Sequence, residues 1–134
     1  KNYSALTLMF QKEVAERIMA STRCKDYGRV SVLAQLSCKI EKLMDLNPEC
    51  FTPAPKIWSS VLLFRPLDKP ITQEERTKIE KITSLAFGQR RKMLRQSLKS
   101  LPDILGKLEQ LQIAPTARAE ELTPQQFLDL AHLY

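Results

Sequence analysis

Two prolines in the stretch Phe51-Thr52-Pro53-Ala54-Pro55-Lys56 constrain this chain more tightly than any other feature. Each fixes φ and removes a backbone donor, and each pushes the residue before it towards extended conformations. The piece is therefore neither helix nor central strand. It reads as a stiff, extended turn with an aromatic ring at its head and an ammonium at its tail. Behind it, Ile57–Phe64 has the length and apolar content of a strand. Everything before the turn reads as mixed strand and helix, and everything after Pro70 as helix. A rigid loop that presents one aromatic ring can hold a flat ligand. The same residues also suit a core Phe ahead of a surface loop, since loop prolines and buried phenylalanines are both common.

Ala5–Phe10 is a short apolar run of the kind that makes a buried strand. Gln11–Ala20 follows at once, with Val14, Ala15, Ile18 and Met19 at helical spacing. A strand that runs directly into a helix is an α/β signature. Ser21–Arg29 is a polar loop containing Tyr27-Gly28-Arg29. Val30–Leu46 supports two readings. Val32, Leu33, Leu36, Ile40, Leu43 and Met44 fit one long helix by spacing, and the alternative is a helix to about Cys38 followed by a strand over Ile40–Leu46. Periodicity favours the first. Asn47-Pro48 ends whichever forms.

Arg65-Pro66-Leu67-Asp68-Lys69-Pro70 is a linker, and it divides the chain into residues 1–66 and 67–134. Thr72 with Glu75 makes a capping box, so a helix begins there, with Ile79, Ile82, Leu85 and Ala86 as its buried stripe and Gly88 as its stop. Arg90–Leu101 reads as a second helix on Leu94, Leu98 and Leu101. Pro102 opens a third, Asp103–Gln112, with Ile104, Leu105, Leu108 and Leu111 inward. Thr123-Pro124 caps and starts a last helix carrying Phe127, Leu130, Ala131 and Tyr134. Residues 71–134 therefore read as a compact four-helix unit.

Charge narrows the chemistry. The chain has 21 basic and 15 acidic residues, a net charge of +6, which points to an anionic partner. Between Glu80 and Asp103 stand Lys81, Arg90, Arg91, Lys92, Arg95 and Lys99 with no acidic residue among them. On a continuous helix Arg91, Arg95 and Lys99 would stack on one face, opposite the leucines. Such a row suits either a lattice of phosphates or a solvated basic surface. Catalytic signatures are scarce. The 3 glycines, Gly28, Gly88 and Gly106, lie far apart, so no phosphate-cradling or dinucleotide loop is present. The lone histidine, His132, has no second His with which to hold a metal, Glu120 and Glu121 are adjacent and make a poor dyad, and no Ser, His, Asp set suggests a triad. Cys24, Cys38 and Cys50 lack zinc spacing and read as reduced thiols of a cytoplasmic protein. No apolar run approaches the roughly 18 residues that cross a bilayer, and no signal peptide is visible.

Several ordered motifs now coincide: Gln11-Lys12-Glu13-Val14-Ala15, Tyr27-Gly28-Arg29-Val30-Ser31-Val32, Phe51-Thr52-Pro53-Ala54-Pro55-Lys56-Ile57, Ala86-Phe87-Gly88-Gln89-Arg90-Arg91-Lys92, Ser97-Leu98, and Arg118-Ala119-Glu120 before a final helix. In this order they resemble the bacterial KsgA-type ribosomal RNA adenine dimethyltransferases, and the similarity runs over essentially the whole chain. Members use S-adenosylmethionine to dimethylate two adjacent adenines near the 3′ end of small-subunit rRNA, acting on the 30S pre-subunit. The family's glycine-rich cofactor loop and its Asn-(Leu/Ile)-Pro-Tyr motif precede Gln11-Lys12-Glu13, and neither occurs here. The resemblance is thus to the C-terminal half of such an enzyme. It implies the last strands of a Rossmann-like methyltransferase sheet followed by a small all-α helical domain for rRNA docking, with no cofactor-binding and no catalytic residue in this chain, which is expected to be inactive alone.

The resemblance also implies roles. Chemistry on a base amine requires the base to leave its stack. Phe51 would stack on the flipped adenine, with Pro53, Pro55 and Lys56 as its supporting loop, and Arg90, Arg91 and Lys92 match the family's basic run. Arg95 and Lys99 extend that run by charge. The family pattern favours helix then strand in Val30–Leu46, against the periodicity. Two departures stand out: Ala54 replaces the usual middle proline, and Trp58 stands where the family commonly has Asp or Glu. A different class of function fits the same basic surface, namely a non-catalytic rRNA-binding or ribosome-assembly module. If the sheet order follows the common methyltransferase order, residues 5–10 lack a neighbouring strand, and an exposed apolar edge of that kind predicts self-association.

Overall fold

The computed structural model describes residues 4–48 and 57–134. The proline turn with Phe51, Pro53, Pro55 and Lys56 lies outside the described residues. The chain opens with strand β1 (Leu6–Gln11), which passes without a loop into helix α1 (Lys12–Met19); helix α2 (Arg29–Ser37) then runs directly into strand β2 (Cys38–Leu46), and strand β3 is Ser59–Pro66. The sheet order is β1-β3-β2, with β3 antiparallel to both neighbours. β1 and β2 are therefore parallel to each other, and the intervening pair of helices makes the crossover that parallel strands require.

Pleating decides what each face does. Phe10, Ile40, Leu62 and Phe64 face α1 and α2, where they meet Ala15, Ile18 and Ala34. Phe10 and Phe64 meet edge to face, with centroids 6.0 Å apart. The other face carries the in-register row Met9–Val61–Met44, of which Met9 and Met44 remain exposed. The expected buried strand over Ala5–Phe10 is thus corrected. β1 forms, but it is a sheet edge with Leu6, Leu8 and Met9 in solvent, because among the described residues only β3 pairs with it.

Val30–Leu46 divides into helix and strand as the family resemblance implies, and the single long helix does not form. Ile40 has a strand partner in Phe64, and β2 accommodates Leu43 as a bulge where the register shifts between Lys42 and Met44.

After the linker come helix α3 (Gln73–Gly88), a single turn α4 (Leu94–Ser97), α5 (Ile104–Gln110), a 3₁₀ turn Ala119–Glu121 and α6 (Pro124–His132). Thr72 caps α3 as predicted: its hydroxyl accepts from Glu75 N at 3.1 Å while Glu75 accepts from Thr72 N at 2.8 Å. Thr123 and Gln126 repeat this reciprocal cap at α6. The expected helix Arg90–Leu101 is corrected to the one turn of α4. Met93 is extended (φ −66°, ψ 151°) and bridges Arg118. The amides of Leu94 and Arg95 donate to Ala117 and Pro115 across the chain (2.7 and 3.2 Å). Those donors are satisfied by tertiary partners, so no upstream helical turn is needed. Leu105, expected inward, is exposed, while Ile104 and Leu108 on the same helix are buried.

One core unites α2 with the C-terminal helices. Ala20, Tyr27, Val32 and Leu36 from before the linker pack with Ile79, Ile82, Leu94, Leu108, Phe127 and Leu130 from after it. Tyr27, Phe87 and Phe127 form an aromatic chain with centroids 5.9 and 5.7 Å apart. Each fully buried large apolar side chain contributes roughly 1.5–3 kcal/mol of transfer free energy, which is enough to hold the two sides of the linker together.

Candidate nucleic-acid interface

The carboxyl ends of β1 and β2 lie at one end of the sheet, where β3 begins. Ligands of open α/β sheets bind outside such ends. Phe51, Pro53, Pro55 and Lys56, predicted to form the base-stacking loop, fall in sequence between β2 and β3 and lie outside the described residues. Beside the exposed Ile57 and Trp58, the described polar residues at this end are tied together. Lys12 N donates to Trp58 O at 3.0 Å, and the Lys12 ammonium stands 5.8 Å from the Trp58 ring centroid. Ser60 Oγ donates to Asp45 Oδ1 at 2.6 Å, and Lys42 Nζ pairs with Asp45 Oδ2 at 3.1 Å. The Ser60 hydroxyl first, and then Lys42, hold the Asp45 carboxyl below the usual carboxylate range.

Open clefts carry charged side chains, the first of them at this end. One of about 380 Å³ runs beside α1 and has Lys12, Glu16, Met19, Asp26, Lys42 and Ser60 in its walls. A second, of about 530 Å³, also has Asp26 in its wall and is ringed by Arg17, Lys25, Arg29 and Arg90 at the start of α2. A third, of about 280 Å³, is lined by Arg91, Lys92, Arg95 and Arg118. The helices bring these cations together: α1 supplies Arg17, the α1–α2 loop supplies Lys25, and the Met93–Arg118 bridge sets Arg118 beside the 91–95 segment.

The five predicted basic residues divide into three kinds. Arg90 is half-buried and engaged: its guanidinium donates to Cys24 O at 3.0 Å, lies 3.8 Å from the Glu120 carboxylate and stacks 5.6 Å from the Phe87 ring. It ties α3 to the loop before α2. Arg91, Lys92 and Arg95 are exposed and share one cleft, and their side chains have no carboxylate partner among the described residues. Lys99 is exposed in the turn after α4 and lies outside that cleft. The single face through Arg91, Arg95 and Lys99 does not exist, because the helix that would align them is one turn long.

Sequence spacing alone missed Arg17, Lys25, Arg29 and Arg118 as members of the basic surface. They are scattered over a hundred positions, and only the fold gathers them; Arg29 and Arg118 do sit inside motifs that carry the family resemblance.

The residues present do not fit the S-adenosylmethionine that the resemblance implies. Among the described residues the direct strand-to-helix turn, Gln11–Lys12, has no glycine and no loop at all, and the connection from β3 to α3, residues 67–72, has no glycine either. Gly28 opens α2 in a ring of cations, and neither Gly88 nor Gly106 adjoins a strand. No cluster of His, Cys, Asp or Glu among the described residues could hold a metal ion. No helix among them is long and apolar enough to cross a membrane.

Comparison with known proteins gives this arrangement its context. The profile of the family described as "Ribosomal RNA adenine dimethylase" matches residues 2–134. A Paracoccus denitrificans protein named "Ribosomal RNA small subunit methyltransferase A" is 49% identical over 130 residues, covering 96% of this chain and 46% of the relative. The protein of the same name from Wolbachia pipientis subsp. Culex pipiens is 47% identical over 133 residues, covering 98% of this chain and 50% of the relative. The crystal structure of a dimethyladenosine transferase from Plasmodium falciparum superposes with a TM-score of 0.83 at 25% identity, covering 96% of this chain and 56% of that one. The chain therefore spans about half the length of the curated relatives it matches. The strand–helix order, the basic clefts and a profile match along nearly every residue agree: this chain belongs to the ribosomal RNA adenine dimethylase family.

Proposed function

We propose that this chain is the C-terminal, RNA-docking part of a cytoplasmic rRNA adenine dimethyltransferase that acts on small-subunit rRNA in the 30S pre-subunit. The observation that carries this reading is the family match over residues 2–134, taken with Arg91, Lys92 and Arg95, which share a cleft with Arg118 and have no carboxylate partner among the described residues. The division at residues 66 and 67 then separates a sheet-bearing part, which presents the target base, from a helical part that grips the RNA backbone. Phe51 stacks on the extruded adenine, and Pro53, Pro55 and Lys56 hold that ring at a fixed height. Arg91, Lys92 and Arg95 neutralise phosphates, and Arg90 positions the run from its tie to Cys24. Lys99 contributes only long-range charge. S-adenosylmethionine supplies the methyl group in the whole enzyme and is held by residues other than these. The lack of fit to that cofactor favours a non-catalytic docking role for this chain on its own. We also infer that the exposed edge of β1 pairs with a second copy when nothing else covers it.

The test uses a labelled small-subunit rRNA fragment and the double variant Arg91→Glu/Arg95→Glu. Each phosphate contact contributes about 0.9 to the slope of log affinity against log salt. The variant should bind roughly tenfold or more weakly near 0.1 M salt, with a slope shallower by about 2. Calorimetric titration of the unmodified chain with S-adenosylmethionine should give no binding heat. Unchanged RNA affinity and slope in the variant, or tight cofactor binding by the chain, would overturn the reading.

A further inference from the structure

The family pattern leaves Trp58 without a part. It replaces a carboxylate common at this position, yet 46% of its surface is exposed at the end of the sheet where β3 begins. Ile57 beside it is equally exposed, so the two present an apolar patch next to the polar side chains of Lys12, Lys42 and Asp45. The residue is held rather than loose: Lys12 N donates to Trp58 O at 3.0 Å, and the Lys12 ammonium stands 5.8 Å from the ring centroid. Lys12 has no carboxylate in ion-pair distance among the described residues, and it opens the cleft that leads along α1 towards Lys42 and Asp26. An exposed ring beside a cation with no ion pair among the described residues matches the two needs of an unpaired nucleotide, a π-face for the base and a positive charge for its phosphate.

We propose that Trp58 is a stacking platform for an unpaired base of single-stranded RNA, with Lys12 meeting the adjoining phosphate. This rests on the RNA-docking reading and adds a contact to it, at the sheet end rather than on the basic clefts. The chain's 1 tryptophan makes it its own probe. The 134-residue chain is titrated with a short, labelled, single-stranded RNA and with an abasic oligomer of the same length. Label anisotropy reports binding, and tryptophan emission reports the ring. The RNA should quench emission along the same isotherm as the anisotropy, while the abasic oligomer binds through its phosphates and leaves emission unchanged. Trp58→Ala should weaken RNA binding by about fivefold to a hundredfold, and Trp58→Phe should restore most of it. If Trp58→Ala fails to fold by circular dichroism, the quenching comparison on the unmodified chain decides. RNA binding with unchanged emission, or equal quenching by the abasic oligomer, overturns the platform and leaves the docking surface standing. Absence of binding by anisotropy overturns both.

Discussion

Tyr27 shows what a single residue can do that its neighbourhood conceals. It lies in a stretch that reads as polar loop, yet it is fully buried, and its hydroxyl donates to Leu122 O at 2.6 Å. Tyr27→Phe leaves that carbonyl unsatisfied in the core and should cost about 1–3 kcal/mol, measured by urea unfolding. Burial also pushes the Tyr27 hydroxyl well above its ordinary value of 10.0. A raised native value means that the native state holds its proton more tightly than the unfolded chain does. The corresponding stability is intact below pH 10 and is lost as pH rises above it, so the Tyr27→Phe chain should lack that part of the alkaline loss. Arg90 teaches the same lesson from the other side. By composition it belongs to a basic run, but by contact it is a tie to Cys24, Phe87 and Glu120.

Among the elements, helix ends were legible and helix extents were not. The reciprocal caps at Thr72 and Thr123 and the first-turn Pro124 are local chemistry, and each appears where its residues predict. Strand β2 and the single turn α4 depend on partners far along the chain, β3 for one and residues 115–118 for the other. Periodicity cannot see those partners, so it extends both segments into helices. The cap of α3 also reaches another element: Glu75, which accepts from Thr72 N, contacts the His132 ring at the end of α6. The Thr72 amide first, and then His132, hold the Glu75 carboxyl below its usual range. A depressed native value stabilises the fold above the ordinary glutamate value of about 4.3 and ceases to do so as pH falls through the native value. Glu75→Gln should therefore flatten part of the acid loss in melting temperature between neutral pH and pH ~3. An unchanged acid limb would show that the carboxylate does not link α3 to α6.

Across the whole molecule, the linker at Arg65–Pro70 does not separate two cores, because Tyr27, Val32 and Leu36 complete the interior of the C-terminal helices. The sheet is less well enclosed. One face is covered by α1 and α2, while Met9 and Met44 on the other face and Leu6 and Leu8 on β1 are exposed, and among the described residues no strand pairs with the outer edge of β1. An apolar strand edge that no described strand covers favours pairing with another copy. Sedimentation should show concentration-dependent dimers of the 134-residue chain, and Met9→Lys should shift the distribution towards monomer. A single monomer species at high concentration would set this expectation aside.

The sequence by itself determined the α/β class with its helical C-terminal part, the caps, the apolar stripes of α3 and α6, and the family, since all of these are written in local patterns or in ordered motifs. Only the tertiary structure decided where the charges go. Hydrogen bonds from Leu94 and Arg95 to a distant segment end the helix that would have aligned Arg91, Arg95 and Lys99. The packing of α2 against α1 and α3 then collects Arg17, Lys25, Arg29 and Arg90 around one cleft. A row of like charges is a property of spacing, whereas a ring of them is a property of packing.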